Sequence, residues 1–184
     1  LSWASAAPAQ AARDWLIAHE AIPPEIAPGW DDTARRCIDS IQAAFDSLPD
    51  LQLTRLHGDC HPGNILWTPD RGPHFVDLDD AVTGPVVQDL WMLLSGERAQ
   101  RQRQLGALID GYEQMRPFDR RELRLIEALR TLRMIHYSAW LAQRKDDPAF
   151  QQNFAWFGGS DYWAGQTHAL IEQCEAMQEP VLVV

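Results

Sequence analysis

The sequence predicts an α+β fold, mostly helical, with a small β-hairpin region that carries a dense run of polar residues. Apolar residues recur at three- and four-residue steps through most of the chain, the spacing of helices with one buried face. Strand-like runs are short and confined to residues 51–78, too few for a doubly wound sheet. With 184 residues and 46% apolar content, the chain can bury one substantial core, so a single domain is expected.

Residues 11–19 form the first helical candidate, followed by an irregular connector through Pro23, Pro24, Pro28 and Gly29, because proline removes backbone donors and stops helices. Asp31 or Asp32 is placed to cap a second helix, with Ile38, Ile41, Phe45 and Leu48 on its apolar face. Leu51, Leu53 and Leu56 suggest a strand leading into the loop His57-Gly58-Asp59-Cys60-His61-Pro62-Gly63-Asn64. Two further strands, Ile65 to Trp67 and His74 to Leu78, are joined by a turn rich in proline, glycine and aspartate. Val86, Val87, Leu90, Trp91 and Leu94 then mark a short helix, and Leu105, Leu108, Ile109 and Tyr112 the next. A long helix is expected over residues 119–145, on the spacing of Leu123, Ile126, Leu129, Leu132, Ile135 and Leu141. Gly158-Gly159 breaks the chain, and Ser160 caps a last helix through Met177. This order divides the chain into a helical subregion and connector over 1–50, a polar core over 51–95 and a helical subdomain over 96–184.

The net charge of -10 argues against a nucleic-acid partner or an anionic membrane surface. No apolar run approaches the roughly 20 residues of a membrane helix. Cys37, Cys60 and Cys174 are odd in number and widely spaced, unlike a secreted disulfide framework, so a reducing cytoplasmic setting is expected.

The chemistry is concentrated in residues 57–80. Asp59 and Asn64 lie five residues apart across a Gly/Pro loop that can turn Asn64 back toward Asp59. On a strand, Asp77 and Asp79 share a face. Carboxylates gathered in this way repel unless a cation compensates them. Magnesium suits such oxygen ligands and keeps positions for substrate phosphates, whereas zinc prefers a closed set of cysteine and histidine.

The segment from His57 to Leu66, followed by Phe75-Val76-Asp77-Leu78-Asp79-Asp80, resembles the aminoglycoside phosphotransferase and choline kinase superfamily of eukaryotic-like kinases. The continuation from Gly84 to Leu94 is similar to bacterial protein kinases of the stress response. The resemblance implies the mostly helical C-terminal lobe of a protein-kinase-like fold, with ATP as co-substrate and magnesium as cofactor. It assigns Asp59 as the catalytic aspartate that orients or deprotonates an acceptor hydroxyl, and Asn64 and Asp77 as magnesium ligands through which the nucleotide is held. Asp79 is a candidate for a second metal or for positioning the first. His57, His61 and Asp89 are implied as supports of the catalytic loop.

The family's N-terminal nucleotide-binding lobe, with its covering loop and phosphate-binding lysine, is not found in this sequence. The only lysine, Lys145, falls far beyond the metal aspartate. The chain is therefore expected to be a C-terminal portion of a longer kinase, inactive alone, with an apolar seam able to drive self-association. The favoured activity is phosphorylation of protein serine or threonine. Alternatives are a kinase for a small hydroxyl-bearing acceptor (aminoglycoside, choline or homoserine type), a zinc module using His57, Cys60, His61 and His74, and a non-catalytic interaction module. His74 reads more simply as a strand residue, Asp31 and Asp70 as backbone caps, Trp91, Trp140, Trp156 and Trp163 as core or groove aromatics, and Arg98, Arg101 and Arg103 as a solvated helix face.

Overall fold

The computed structural model describes residues 2–184 and resolves them into two compact units, each assembled from separate stretches of chain. The first comprises residues 2–4, 48–126 and 180–184; the second comprises 5–47 and 127–179.

The second unit is helical. Its helices are α1 (Ala7–Ala18), α2 (Ala27–Asp46), most of α5 (Ile126–Arg144), α6 (Pro148–Asn153) and α7 (Ser160–Ala176). Helix α2 packs on α1 and α7 through Trp30, Ala34, Cys37, Ile38 and Ile41, a stripe at helical spacing that is buried along its length. Trp30 meets Trp163 of α7 edge to face, with ring centroids 5.7 Å apart, and both rings are fully buried. Leu129, Leu132, Ile135 and Leu141 of α5 are likewise closed to solvent. Cys37 and Cys174 are free thiols whose Sγ atoms lie 2.7 Å apart, although 137 positions separate them in sequence.

Among the described residues, the strands lie in the first unit. β1 (Thr54–Leu56) pairs antiparallel with β4 (Val82–Gly84), and β2 (Ile65–Thr68) pairs antiparallel with β3 (Gly72–Phe75). Ser2 adds a parallel bridge to Thr83. Helices α3 (Val87–Trp91) and α4 (Arg98–Glu113) follow, and a 3-10 turn over Arg120–Leu125 packs against α3. This is the expected α+β composition, with the hairpin region in the expected place.

Several local expectations are corrected. Helix α2 begins at Ala27, so Asp31 lies within it and makes ion pairs with Arg13 and Arg35 instead of capping. Pro28 sits in its first turn, where a missing amide costs nothing, so the connector ends earlier than the prolines suggest. The long helix starts at Ile126 because residues 120–125 wind as a 3-10 turn capped by Asp119. Ser160 is the first residue of α7, and Gly159 precedes it as the cap position. Strand β4 and helix α6 were not anticipated, being a three-residue strand and a six-residue helix below the reach of periodicity. Arg98 does more than face water: its guanidinium donates to the carbonyls of Pro180 and Val181, tying the C-terminal segment to α4.

Among the described residues, no helix is long and apolar enough to cross a membrane. Replacing Trp163 with alanine should destabilise the second unit by about 3–5 kcal/mol, the usual cost of emptying a large aromatic site. Urea unfolding followed by intrinsic fluorescence checks this, and a loss below about 1 kcal/mol would show that the indole is not packed as described.

Candidate functional site

Two nested antiparallel ladders build the site. The outer ladder pairs Leu56 with Val82, so residues 57–81 form a loop closed at its neck. The inner ladder pairs Ile65 with Phe75, and the Val76 amide donates to the Asn64 carbonyl at 3.0 Å, extending it by one step. Asn64 and Val76 are consequently neighbours, and Asp77 follows directly from Val76. The loop carrying Asp59 is drawn to the same place by two further bonds. The Asn64 side-chain nitrogen donates to the Asp59 carbonyl at 3.0 Å and approaches its Oδ2 at 3.4 Å. The His57 ring bonds the Val76 carbonyl at 2.8 Å.

His57 also fixes its own tautomer. Its Nδ1 accepts from the Asp59 amide at 3.3 Å, so the proton sits on Nε2, which donates to Val76. One buried ring thus joins the Asp59 arm to the Asp77 arm. Asp89 holds the start of the loop with both carboxylate oxygens, accepting from the His57 amide at 2.8 Å and the Gly58 amide at 2.9 Å. Burial raises its pKa above the usual carboxylate range, those two amides counter the rise, and the nearby Asp59 carboxylate adds to it.

Glycine is required at position 58. Its φ is +85°, and a Cβ there would stand 2.2 Å from the Asp80 carbonyl oxygen. The two arms of the loop therefore approach more closely than any side chain allows. Asp77 is a non-glycine residue of the segment in the left-handed region, at φ 61° and ψ 64°, a conformation that costs an ordinary residue about 1–3 kcal/mol and persists only where its surroundings impose it.

That kink corrects the strand argument. β3 ends at Phe75, Asp77 turns the chain, and Leu78–Asp80 form a 3-10 turn. Asp77 and Asp79 therefore do not share a face by strand alternation; both are exposed. His61 caps the 3-10 turn Pro62–Asn64 by accepting from the Gly63 amide, and its Nε2 lies 3.6 Å from Asp59 Oδ2. His74 sits on β3 beside the Thr68 hydroxyl at 3.0 Å, as the strand reading expects.

Among the described residues, no three His, Cys, Asp or Glu side chains form a metal-binding group. The zinc quartet is accordingly not assembled: both His57 ring nitrogens are committed, His74 is held by Thr68, and burial pushes the Cys60 thiol up to about 11, with Asp89 and Asp59 adding to the rise. The donor chemistry that remains is hard oxygen. The Asn64 nitrogen is turned to Asp59, which leaves its amide oxygen as the other polar atom of that side chain, and Asp77 follows Val76 on the adjoining arm. Such a partial set fits a magnesium ion that takes its other ligands from water and phosphate.

A cleft of about 830 Å³ lies behind the loop, lined by Leu56, His57, Phe75, Leu78, Leu90 and Tyr112 among others. The hairpin beside it presents Trp67 at 72% and Phe75 at 54% exposure. Sequence reasoning missed Gln88, which is fully buried and donates from Nε2 to the Gly58 carbonyl at 3.2 Å. Its position next to Asp89 was the available signal.

The loop is pinned so that Asp59, Asn64 and the Val76-Asp77 arm meet at one hairpin neck. Residues 4–126 match the sequence model of the phosphotransferase enzyme family, two thirds of the chain, and the protein belongs to that family. Over 133 residues it is 55% identical to stress response kinase A of Escherichia coli K12 and 53% identical to serine/threonine protein kinase RdoA of Salmonella typhimurium LT2. Each alignment covers 72% of this chain and 40% of the relative, so the chain spans well under half of the curated relatives it matches.

Gly58→Ala should lower the stability of the first unit by at least about 1–3 kcal/mol, from backbone strain alone. Chemical denaturation measures it, and a variant as stable as the parent would refute the close approach of the two loop arms.

Proposed function

We propose that the whole protein is an ATP-dependent, magnesium-requiring kinase that phosphorylates serine or threonine of protein substrates in the bacterial stress response, in the cytoplasm. The observation that carries this reading is the hydrogen-bond network joining Asp59, Asn64 and the Val76-Asp77 arm around one loop neck. The name of the Salmonella relative, serine/threonine protein kinase RdoA, supports the acceptor class, and that of the Escherichia coli relative supports the stress-response setting.

In this reading Asp59 is the catalytic residue. Its carboxylate orients the acceptor hydroxyl toward the γ-phosphorus and takes up its proton as the new O–P bond forms and the bond from that phosphorus to the β–γ bridging oxygen breaks, with ADP as the leaving group. The Asn64 contact fixes the rotamer of that carboxylate, which matters because in-line transfer tolerates little misplacement. Asn64 and Asp77 would hold magnesium, which neutralises charge on the phosphates when bound. His61, 3.6 Å from Asp59 Oδ2, positions that carboxylate, and Asp79 would support the residues that hold the metal. The exposed apolar hairpin and the cleft behind it are covered by the remainder of the full-length kinase, which also supplies the other nucleotide contacts. Left uncovered, this seam drives self-association.

Transfer of the γ-phosphate by the full-length protein, assayed against protein and aminoglycoside acceptors, tests the reading. Asp59→Ala should reduce turnover about 10²- to 10⁴-fold with the fold retained. Unchanged turnover would remove Asp59 from the mechanism. Transfer to the aminoglycoside with none to protein would replace the protein-kinase reading with a small-molecule one.

A further inference from the structure

Glu122 is a carboxyl that the proposed chemistry does not use. It lies in the 3-10 turn Arg120–Leu125, is only 3% exposed, and accepts from the Val87 amide at 2.9 Å. Val87 opens α3, and the helix has no cap of its own, because Val86 at its N-terminus offers no side-chain acceptor. An amide at a helix start that is buried without a partner costs about 1–3 kcal/mol. Glu122 supplies the acceptor from another element.

What α3 carries makes this cap matter. Its Asp89 accepts from the amides of His57 and Gly58 at 2.8 and 2.9 Å, and its Gln88 donates to the Gly58 carbonyl at 3.2 Å. Trp91, one turn on, donates its indole N–H to Gln88 Oε1 at 3.0 Å and so fixes that amide. Three hydrogen bonds from a five-residue helix therefore hold the two residues that precede Asp59. So short a helix has little intrinsic stability, and its orientation depends on what grips its ends. The turn bearing Glu122 packs directly on it.

We propose that Glu122 is a positioning residue of the phosphotransfer site: by capping α3 from outside, it sets the helix that holds His57 and Gly58 and thereby aims Asp59. The role is that of an acceptor and not of a charge. Burial pushes the Glu122 carboxyl up to about 7, the Val87 and Val86 amides and Arg116 counter the rise, and Asp119 adds to it. Around neutrality the group is readily protonated, and a carboxyl oxygen still accepts in that form. Glutamine should therefore replace it where alanine or methionine does not.

The inference rests on reading His57–Asp80 as the phosphotransfer site, and the experiment separates the two. In the full-length protein, amide hydrogen exchange is measured for Glu122→Ala, Glu122→Met and Glu122→Gln, with kcat and KM for ATP determined beside it. In the Ala and Met variants, exchange at Val87, His57 and Gly58 should accelerate about tenfold or more, the effect of losing one buried hydrogen bond. Exchange at residues 129–135 should stay unchanged. Over the same pair kcat should fall about 10- to 100-fold, as a misaimed carboxylate requires, with KM for ATP altered less than about twofold. The Gln variant should restore both quantities to within about threefold of the parent, since its amide oxygen takes the same N–H. Met keeps the side-chain volume, so the comparison survives if the Ala variant does not fold. Faster exchange at Val87 with no change at His57 and Gly58 would overturn the proposal, as would a Gln variant no better than Met. If the parent transfers no phosphate, the phosphotransfer reading fails on its own while the exchange result still decides the coupling.

Discussion

The Asp89 carboxylate accepting the amides of His57 and Gly58 is the contact on which the site depends. Those two residues are where β1 gives way to the loop, and nothing in the strand ladder continues far enough to hold them. A backbone carrying a left-handed glycine has no ladder partner to offer at that point, so its amides need an acceptor from elsewhere. A single carboxylate meeting both converts a flexible junction into a fixed one. The cost is a charge taken partly out of water, which shows in the raised pKa of Asp89. From that anchor the rest follows in order: the His57 ring reaches Val76, Val76 pairs with Asn64, and Asn64 returns to Asp59.

The arrangement separates two kinds of acid. Asp59 is half-buried and hydrogen-bonded to its neighbours, which suits a group that must point in one direction. Asp77 is exposed on a strained turn, which suits a group whose partner arrives from solution. Strain at Asp77 and steric exclusion at Gly58 have the same source, the closeness of the two arms of one loop. The helical core of the second unit is built on Trp30 and Trp163, and its buried Ser138 bonds Tyr162 and Gln166.

Much of this was legible in the sequence. The Gly/Pro composition between His57 and Asn64 announced a loop, and the apolar spacing of α2, α4, α5 and α7 announced helices. Asp59, Asn64 and Asp77 could be singled out because their residue types and spacing matched a known family pattern. What could not be read was conformation set by contacts distant in sequence. Asp77 leaves the strand because Val76 is held by His57 and Asn64, which no alternation rule anticipates. β4 exists because Leu56 offers it an edge, and Asp31 pairs with Arg13 because α1 packs on α2. Cys37 and Cys174 meet for the same reason, through the packing of α2 on α7. Gln88 and Glu122 escaped notice since a buried polar residue shows its purpose only when its partner is known.

Residues around Asn64 and Asp77 are proposed to grip a divalent cation bearing a nucleotide. Paramagnetic broadening by manganese, added with a non-hydrolysable ATP analogue to the full-length protein, tests it most directly, because manganese replaces magnesium at oxygen ligands and affects only nearby nuclei. Selective loss of the Asn64 and Asp77 amide signals is expected at stoichiometric manganese–nucleotide. Broadening confined to other residues, with Asn64 and Asp77 intact, would contradict it.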